Sequence, residues 1–563
     1  MSFTEEEKKL LEKYVTSTES DIFAVRGMEG MVGAAYARYS RAKGGFREVL
    51  LNEFLKEGVI DPKHADQLIE RILIAYGDDS VGELEGAHVS FENISVLSTK
   101  EIEDRRIGGS PIEQSTRYVF YDQKIKNPSQ ALSLRPGPSR DGSRGEGELV
   151  WRYLRHKSLT ETVFGDQYIE TMDFIFETYA SLVEPMKEFY GKKKTLEQAE
   201  YDINGDGIKE KYGDLAEEKL QKAFRLTYNM DLRTKACDTL RCLLPLATLT
   251  NVGVFGNGRF FQYVISHLLT ADLPEAHTIA EETHKATSQL IPQYVRRAKR
   301  NDYLVTVRQE MYKIARFDFD TNLPERPSIL PYIELLEDAV SHDESTITAM
   351  VFPFTNISIG SLRKIIASMS GQQRQEIINA YIGDRKTRRD RPGRALEDGY
   401  PYTFEMVTNF GVYKDLERHR MNTQQRQLFT TKIGFETAQE LVEAGFNDKV
   451  KLCLEKIEAL YDSMAKTSKS LAQYAVLHGN YVRWSIGMND REAMHMLELR
   501  TTPQGHSQYR KAAAIMHKLI ARRSVWRANA MKFVDYNDYF WARGDAEARQ
   551  RVKESKLDTA EQD

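Results

Sequence analysis

The sequence predicts an α+β protein made of two tandem units, each a sheet flanked by long helices. Three observations predict it. The chain of 563 residues is longer than one hydrophobic core supports. Two distant segments, LLPLATLTNVGVFGNGRFFQYVISHLL and AVLHGNYVRWSIGMNDREAMHMLELR, each place Asn-x-Arg after an aliphatic and aromatic run: Asn257 with Arg259, and Asn489 with Arg491. An arginine-rich block precedes each, Arg105-Arg106 in the first and Arg418-His419-Arg420 in the second. The matching order of features, more than residue identity, marks the units as diverged copies.

The elements follow in order. Residues 5–16 read as an amphipathic helix with Leu10, Leu11 and Val15 at helical spacing, and 46–76 as a second helical region. Residues 86–100 are rich in β-branched residues and serine, which leaves strand and buried helix both open. DRRIGGSPIEQSTRY reads as a loop from its Gly and Pro, and 123–148 as a long surface loop. Residues 150–300 are helix-rich, with an insertion near 190–215. The boundaries expected are a first unit at 1–315, a linker at 316–330, a second unit at 331–545 and a frayed charged tail at 546–563.

Bulk composition excludes several classes. Hydrophobic residues make up 41% and charged residues 29%, as in globular proteins. A net charge of -4 gives no footprint for nucleic acid. No run approaches ~18 apolar residues, so no membrane span is expected. Cys237, Cys242 and Cys453 form neither a disulfide framework nor a zinc spacing, which fits a cytoplasmic protein without a metal. DINGDG at 202–207 opens like a calcium loop, but Gly213 stands where the closing glutamate belongs. The basic run DRKTRRDRPGR at 384–394 reads as a solvated loop.

Candidate binding residues fall in four groups. Arg418-His419-Arg420 sets three cationic or titratable groups side by side, an arrangement that an anion or full solvation relieves. Arg483 lies among Tyr481, Val482, Trp484 and Ile486, so it needs either a structural carboxylate or a ligand phosphate. Asn489 followed by Glu492 resembles a capping box and starts a helix. On that helix Arg491 and Arg500 lie about half a turn out of phase and face two ligands or two sites. In the first unit, Glu113, Ser115 and Arg117 sit on one loop able to close on a phosphate.

Together these pieces resemble the flavin-dependent thymidylate synthases. That family carries Arg-His-Arg, then at a fixed interval Ser with Glu before it and Arg-Tyr after it, then Arg, Asn-x-Arg and Leu-x-Leu-Arg. The second unit supplies Arg418-His419-Arg420, Arg483, Asn489-Asp490-Arg491 and Leu497-Glu498-Leu499-Arg500, continued by His506 and Gln508. It has Leu428 at the serine position and Thr430 at the following arginine. The first unit keeps Glu113, Ser115, Arg117 and Tyr118. It has Arg105-Arg106-Ile107 for the tripeptide, Asn251 for Arg483 and Leu268 for Arg500. What one unit has lost, the other keeps.

The resemblance implies two thymidylate-synthase-complementing-type α/β domains and reductive methylation of dUMP to dTMP, with FAD, NADPH and methylenetetrahydrofolate. It implies that Glu113, Ser115, Arg117, Arg418, Arg483 and Arg500 bind the nucleotide, Arg500 being catalytic. Arg418, His419, Arg420, Asn489 and Arg491 would bind FAD. Asp415 stands where the family often has Gln. Because family sites form between subunits of a homotetramer, a homodimer acting as a pseudo-tetramer is expected, its working sites divided between the units. A flavin- or nucleotide-binding homologue without turnover is the alternative.

Overall fold

The computed structural model describes residues 3–28, 31–40, 42–56, 59–60, 82–104, 107–127, 149–318, 326–337, 342–355, 358–388, 390, 392–397, 399, 401–540, 544 and 548. Arg105, Arg106 and most of the 123–148 loop therefore lie outside the described residues.

Each half is organised around helices that begin at a polar cap directly after a strand. In the first half, strand β1 (Gly86–Ser95) runs into helix α1 (Val96–Glu103), then edge strand β2 (Gly109–Glu113). Long helices α2 (Gly165–Lys193) and α3 (Glu218–Leu240) follow, then strand β3 (Leu249–Asn257) and helix α4 (Gly258–Thr270). The second half adds a strand, β4 (Tyr332–Glu337), and then repeats the plan. It has β5 (Tyr402–Asn409), α5 (Phe410–Leu416), β6 (Asn422–Arg426), α6 (Asn447–Thr467), β7 (Tyr481–Met488), α7 (Asp490–Arg500) and α8 (Ser507–Arg523). The sheets are antiparallel, in the orders β1-β3-β2 and β4-β5-β7-β6.

The caps explain why helices start where they do. Ser95, Asn257, Asn409 and Asn489 hold extended backbone, and their side chains accept the N–H of Ser98, Phe260, Val412 and Glu492. Each satisfies a donor that the first helical turn leaves orphaned.

Several expectations are corrected. Residues 86–100 are both strand and helix, divided at Ser95. Gly109–Glu113 is a strand paired with β3 instead of loop. The 46–76 region gives helix Phe46–Val49, a π-turn Leu50–Phe54 and a short pairing of Leu55–Lys56 with Val59–Ile60; 61–81 lie outside the described residues. The first helix ends at Leu11, and Val15 bridges Val25. Helix Asp302–Asp318 runs past the expected start of the linker at 316. In the expected tail, Ala548 is buried in one cluster with Tyr201 and Phe224 of the first-half insertion. The run at 384–394 keeps Asp384, Lys386, Thr387 and Arg388 exposed, as a solvated loop does, but Arg385 is buried and forks onto both oxygens of Glu498 at 2.7 Å.

The halves join by an internal twofold relation. Leu246 N–H donates to Val476 O at 2.8 Å, and His478 N–H to Leu244 O at 2.9 Å. Ala247 N–H donates to Tyr474 O, and Gly479 N–H to Cys242 O. Leu246 and His478 stand the same number of residues before the caps Asn257 and Asn489, as do the other partners, so each bond recurs with the halves exchanged. That reciprocity defines an isologous contact. Pro245 and Leu477 form the bridge at its centre. Leu244, Leu246, Val476 and Leu477 are fully buried there. Burying one such side chain is worth about 1.5–3 kcal/mol, against about 0.5–1.5 kcal/mol net per hydrogen bond, so apolar burial dominates the junction.

Candidate functional site

The turn between α5 and β6 carries Arg418-His419-Arg420, and β7 leads through Asn489 into α7 beside it. Between them lies a cleft of about 610 Å³ lined by Arg418, His419, Arg420, Asn489, Arg491, His495 and Arg500, with Glu397 and Glu492. Every second-half residue expected at the cofactor is therefore in one place, together with Arg500. Arg491 and Arg500 take different partners, Pro392 O at 2.6 Å and His419 Nε2 at 2.9 Å. Both line the same cleft, one near each end of α7.

First-half residues meet this cleft from behind. Glu113, at the end of β2, accepts from Arg418 Nη2 at 2.7 Å and lies 2.7 Å from Lys414 Nζ. Lys100 Nζ is 3.5 Å from Glu113, 2.6 Å from Glu417 and paired with Glu103. Three cations and three carboxylates thus form a buried, balanced lattice across the halves. Its symmetry follows from the repeat, since Lys100 and Lys414 stand equally far from the caps Ser95 and Asn409. Burial alone would raise Glu113, but Lys100, Lys414 and Arg418 hold it well below the carboxylate range.

A second cleft of about 350 Å³ opens between the halves. It is lined by Arg117, Asp238 and Arg241 of the first half, and by Gln504 and His506 of the second. Arg117 grips Asp238 with two bonds, at 2.6 and 2.7 Å, and donates to Gln504 O at 3.3 Å. Ser115 is half-buried, and its Oγ accepts Arg117 N–H at 3.3 Å. His506 caps α8 and lies 3.3 Å from Asp238 O; burial, then Arg241, pushes it down to about 3.

Of the expected residues, Glu113, Ser115 and Arg483 line neither cleft. Glu113 lies behind the first cleft against Arg418, whereas Arg483 is remote from both ion networks. Strand alternation turns it away from the buried face held by Trp484 and Ile486, and it pairs with Glu405.

Arg241 is a residue missed in the sequence, and Asp415, noted there only for standing in place of Gln, is its partner. Arg241 is 4% exposed; its Nη1 meets Asp415 Oδ2 at 3.1 Å, while its Nη2 is buried without a hydrogen-bond partner. A lone charge directly before the apolar run CLLPLATL was the available signal. Burial would raise Asp415, yet Arg241, Arg418, Arg500 and Arg117 hold it well below its usual range. Its direct partner is Arg241.

The counterpart clefts are altered. Beside β3, Glu83, Gly86, Gly108 and Asn257 line about 370 Å³ that Arg420 of the second half enters. Where one side pairs Arg418 with Glu113, Arg426, which stands in the place of Glu113 on the other side, pairs with Glu101 at 2.6 Å, and Glu101 also meets His267. Among the described residues, no cluster of three or more His, Cys, Asp or Glu could hold a metal, and no helix is long and apolar enough to cross a membrane.

A strand–helix–strand plan met twice, with arginine-lined clefts between, defines a class: the chain belongs to the thymidylate synthase complementing protein family, whose pattern matches residues 28–293 and 350–524. Its relatives include the UPF0159 protein of Chlamydia muridarum, 31% identical over 98% of this chain and 99% of that one. Another is the UPF0159 protein Ta1429 of Thermoplasma acidophilum, 29% identical over 92% and 98%. Similar solved structures include a UMP/dUMP methylase, PolB, from Streptomyces cacaoi bound with 5-Br dUMP (15% identity, 36% of this chain and 94% of that one, TM-score 0.28). Thymidylate synthase X from Helicobacter pylori with FAD and dUMP is another (17%, 36% and 100%, TM-score 0.27).

Proposed function

We propose that this protein is a cytoplasmic flavin-dependent thymidylate synthase that methylates dUMP reductively, with methylenetetrahydrofolate as carbon donor and NADPH as reductant. The observation that carries the reading is the cross-half contact of Arg418 with Glu113, which sets the Arg-His-Arg turn of one half against the serine-arginine loop of the other. Each half alone lacks part of the set; together they hold all of it. We read the two halves as a duplicated pair.

In this reading Arg418, His419, Arg420, Asn489 and Arg491 hold FAD in the larger cleft, and the flavin, when bound, supplies the hydride. The inter-half cleft takes the nucleotide phosphate on Arg117 and Arg241. The unpartnered Nη2 of Arg241 supports this role, and it takes the place first given to Arg483. Asp238 aims Arg117, and Asp415 spaces the arginines without neutralising all of them. Arg500, at the end of α7 in the larger cleft, stabilises negative charge that develops on the uracil ring. Fixed donors of this kind need no rearrangement during reaction. Two chains associate as a pseudo-tetramer.

Tritium release from labelled dUMP, with FAD, NADPH and methylenetetrahydrofolate present, tests the proposal. Wild type is expected to release tritium, and Arg500→Ala and Arg117→Ala are not. Release that survives Arg117→Ala would leave the enzyme assignment standing and remove the division between halves. A yellow, folded protein that releases none is a flavin-binding homologue without turnover.

A further inference from the structure

Glu492 is the third residue of α7, where a glutamate ordinarily folds back onto the N–H of the capping residue. Half of that arrangement is present: Asn489 Oδ1 accepts Glu492 N–H at 2.8 Å. The other half is diverted. Glu492 Oε1 lies 2.7 Å from His419 Nδ1 instead. A carboxylate that gives up its usual helix-end bond for a histidine calls for a reason beyond helix stability.

His419 passes the constraint on. Its Nε2 lies 2.9 Å from Arg500 Nε. A guanidinium nitrogen only donates, so Nε2 must be the unprotonated, accepting nitrogen. The ring proton then sits on Nδ1, facing the carboxylate. Glu492 and Arg500 select the same tautomer from opposite sides of one ring. Both Glu492 and His419 are 5% exposed, so water does not compete. The neighbouring His495 ring packs edge-on at 5.5 Å and leaves both nitrogens to these partners. Burial is the main force that keeps His419 neutral, down to about 4, and the charge of Arg500 adds to it. With Nε held by His419, the terminal nitrogens of Arg500 face Tyr509 and the cleft.

We propose that Glu492 is a positioning residue: acting through His419, it fixes the rotation of Arg500 and so aims the terminal guanidinium nitrogens at the substrate. This rests on the reading that Arg500 meets the uracil. Without Glu492 the ring is free to carry its proton on Nε2. That places N–H against N–H and turns Arg500 away.

The test uses the purified flavoprotein and its Glu492→Ala and Glu492→Gln variants. Imidazole ¹⁵N shifts, with His419 assigned by its loss in His419→Asn, report the tautomer. Tritium release reports kcat and the KM for dUMP; flavin content and thermal melting report integrity. Wild type should show His419 protonated on Nδ1, and Glu492→Ala should lose that preference. A fall of about 10- to 100-fold in kcat is expected in the alanine variant, the usual effect of removing an orienting partner, with flavin content retained. Glu492→Gln, whose amide oxygen still accepts the Nδ1 proton, should recover most of the rate. If the alanine variant does not fold, Glu492→Asp, one methylene too short to reach, makes the same comparison. An unchanged tautomer, or an unchanged kcat beside a lowered melting temperature, would overturn the proposal. Should wild type not turn over at all, the synthase reading fails. The positioning claim then stands or falls on the tautomer and on dUMP affinity, which should weaken in Glu492→Ala.

Discussion

Arg500 concentrates what the site can do at the level of single side chains. It is held by His419, packs 5.6 Å above the Tyr509 ring and is drawn toward Asp415. Removing one preorganised donor to a developing anion costs about 10²–10³ in kcat. Arg500→Ala should therefore lose that much turnover while its flavin absorbance persists, and Arg500→Lys should recover little, since lysine lacks the planar fork. Two histidines give the fold a pH dependence of known sign. His419 and His506 are pushed down to about 4 and about 3, against an unfolded value near 6.5. Between those limits the unfolded chain binds protons that the fold refuses, so stability rises with pH through the window and gains nothing above about 6.5. Glu113 and Asp415 act at the lower end: their depressed values add stability that is present above about pH 4 and lost as pH falls further. Urea unfolding at pH 7.5 and pH 5 should show a weaker fold at pH 5. His506→Asn should narrow the difference; an equal loss in the variant would remove His506 from the explanation.

At the level of elements, α1 and α5 carry the same cation and carboxylate positions toward the junction. Lys100 is fully buried among Glu103, Glu113 and Glu417. Removing one member of a buried ion cluster leaves charge uncompensated, at a cost of about 3–5 kcal/mol. Lys100→Met should lower the melting temperature by several degrees and loosen Glu113 from Arg418; a melting curve like that of wild type would argue against the lattice. Helix starts were legible in the sequence because a cap is local: Asn489 with Glu492 announced α7. Strand β2 was not. Its Gly and Pro read as a loop, but β2 is the sheet edge, where Pro111 has no ladder bond to lose. The Arg-His-Arg turn and its asparagine partner were legible as chemistry, since adjacent cations need an anion. Arg483 and Arg241 were not separable by sequence. Each is one arginine beside an apolar run, and only the strand's alternation and the chain reversal at Pro245 decide which reaches a cleft.

At the level of the whole molecule, the internal twofold relation packs two halves against each other within one chain. The outer face of the first sheet exposes Ile112 (77%) and Phe255 (45%). A second copy pairing there would give the pseudo-tetramer, and light scattering should return about twice the chain mass of 64.8 kDa. A mass equal to one chain would leave that face to another role. Flavin should bind at one equivalent per chain, because among the described residues the β3 counterpart cleft is lined by one arginine, Arg420, where the larger cleft has Arg418, Arg420, Arg491 and Arg500.

The reciprocal bonds around Pro245 and Leu477 also bear on inheritance. When a symmetric assembly forms from identical chains, any change is copied to every position at once, so a gain at one site is a loss wherever the same residue does something else. Here the axis runs through a single polypeptide. Arg418 and Asp104, or Glu113 and Arg426, occupy related places yet are encoded separately, and each side can be altered without disturbing the other.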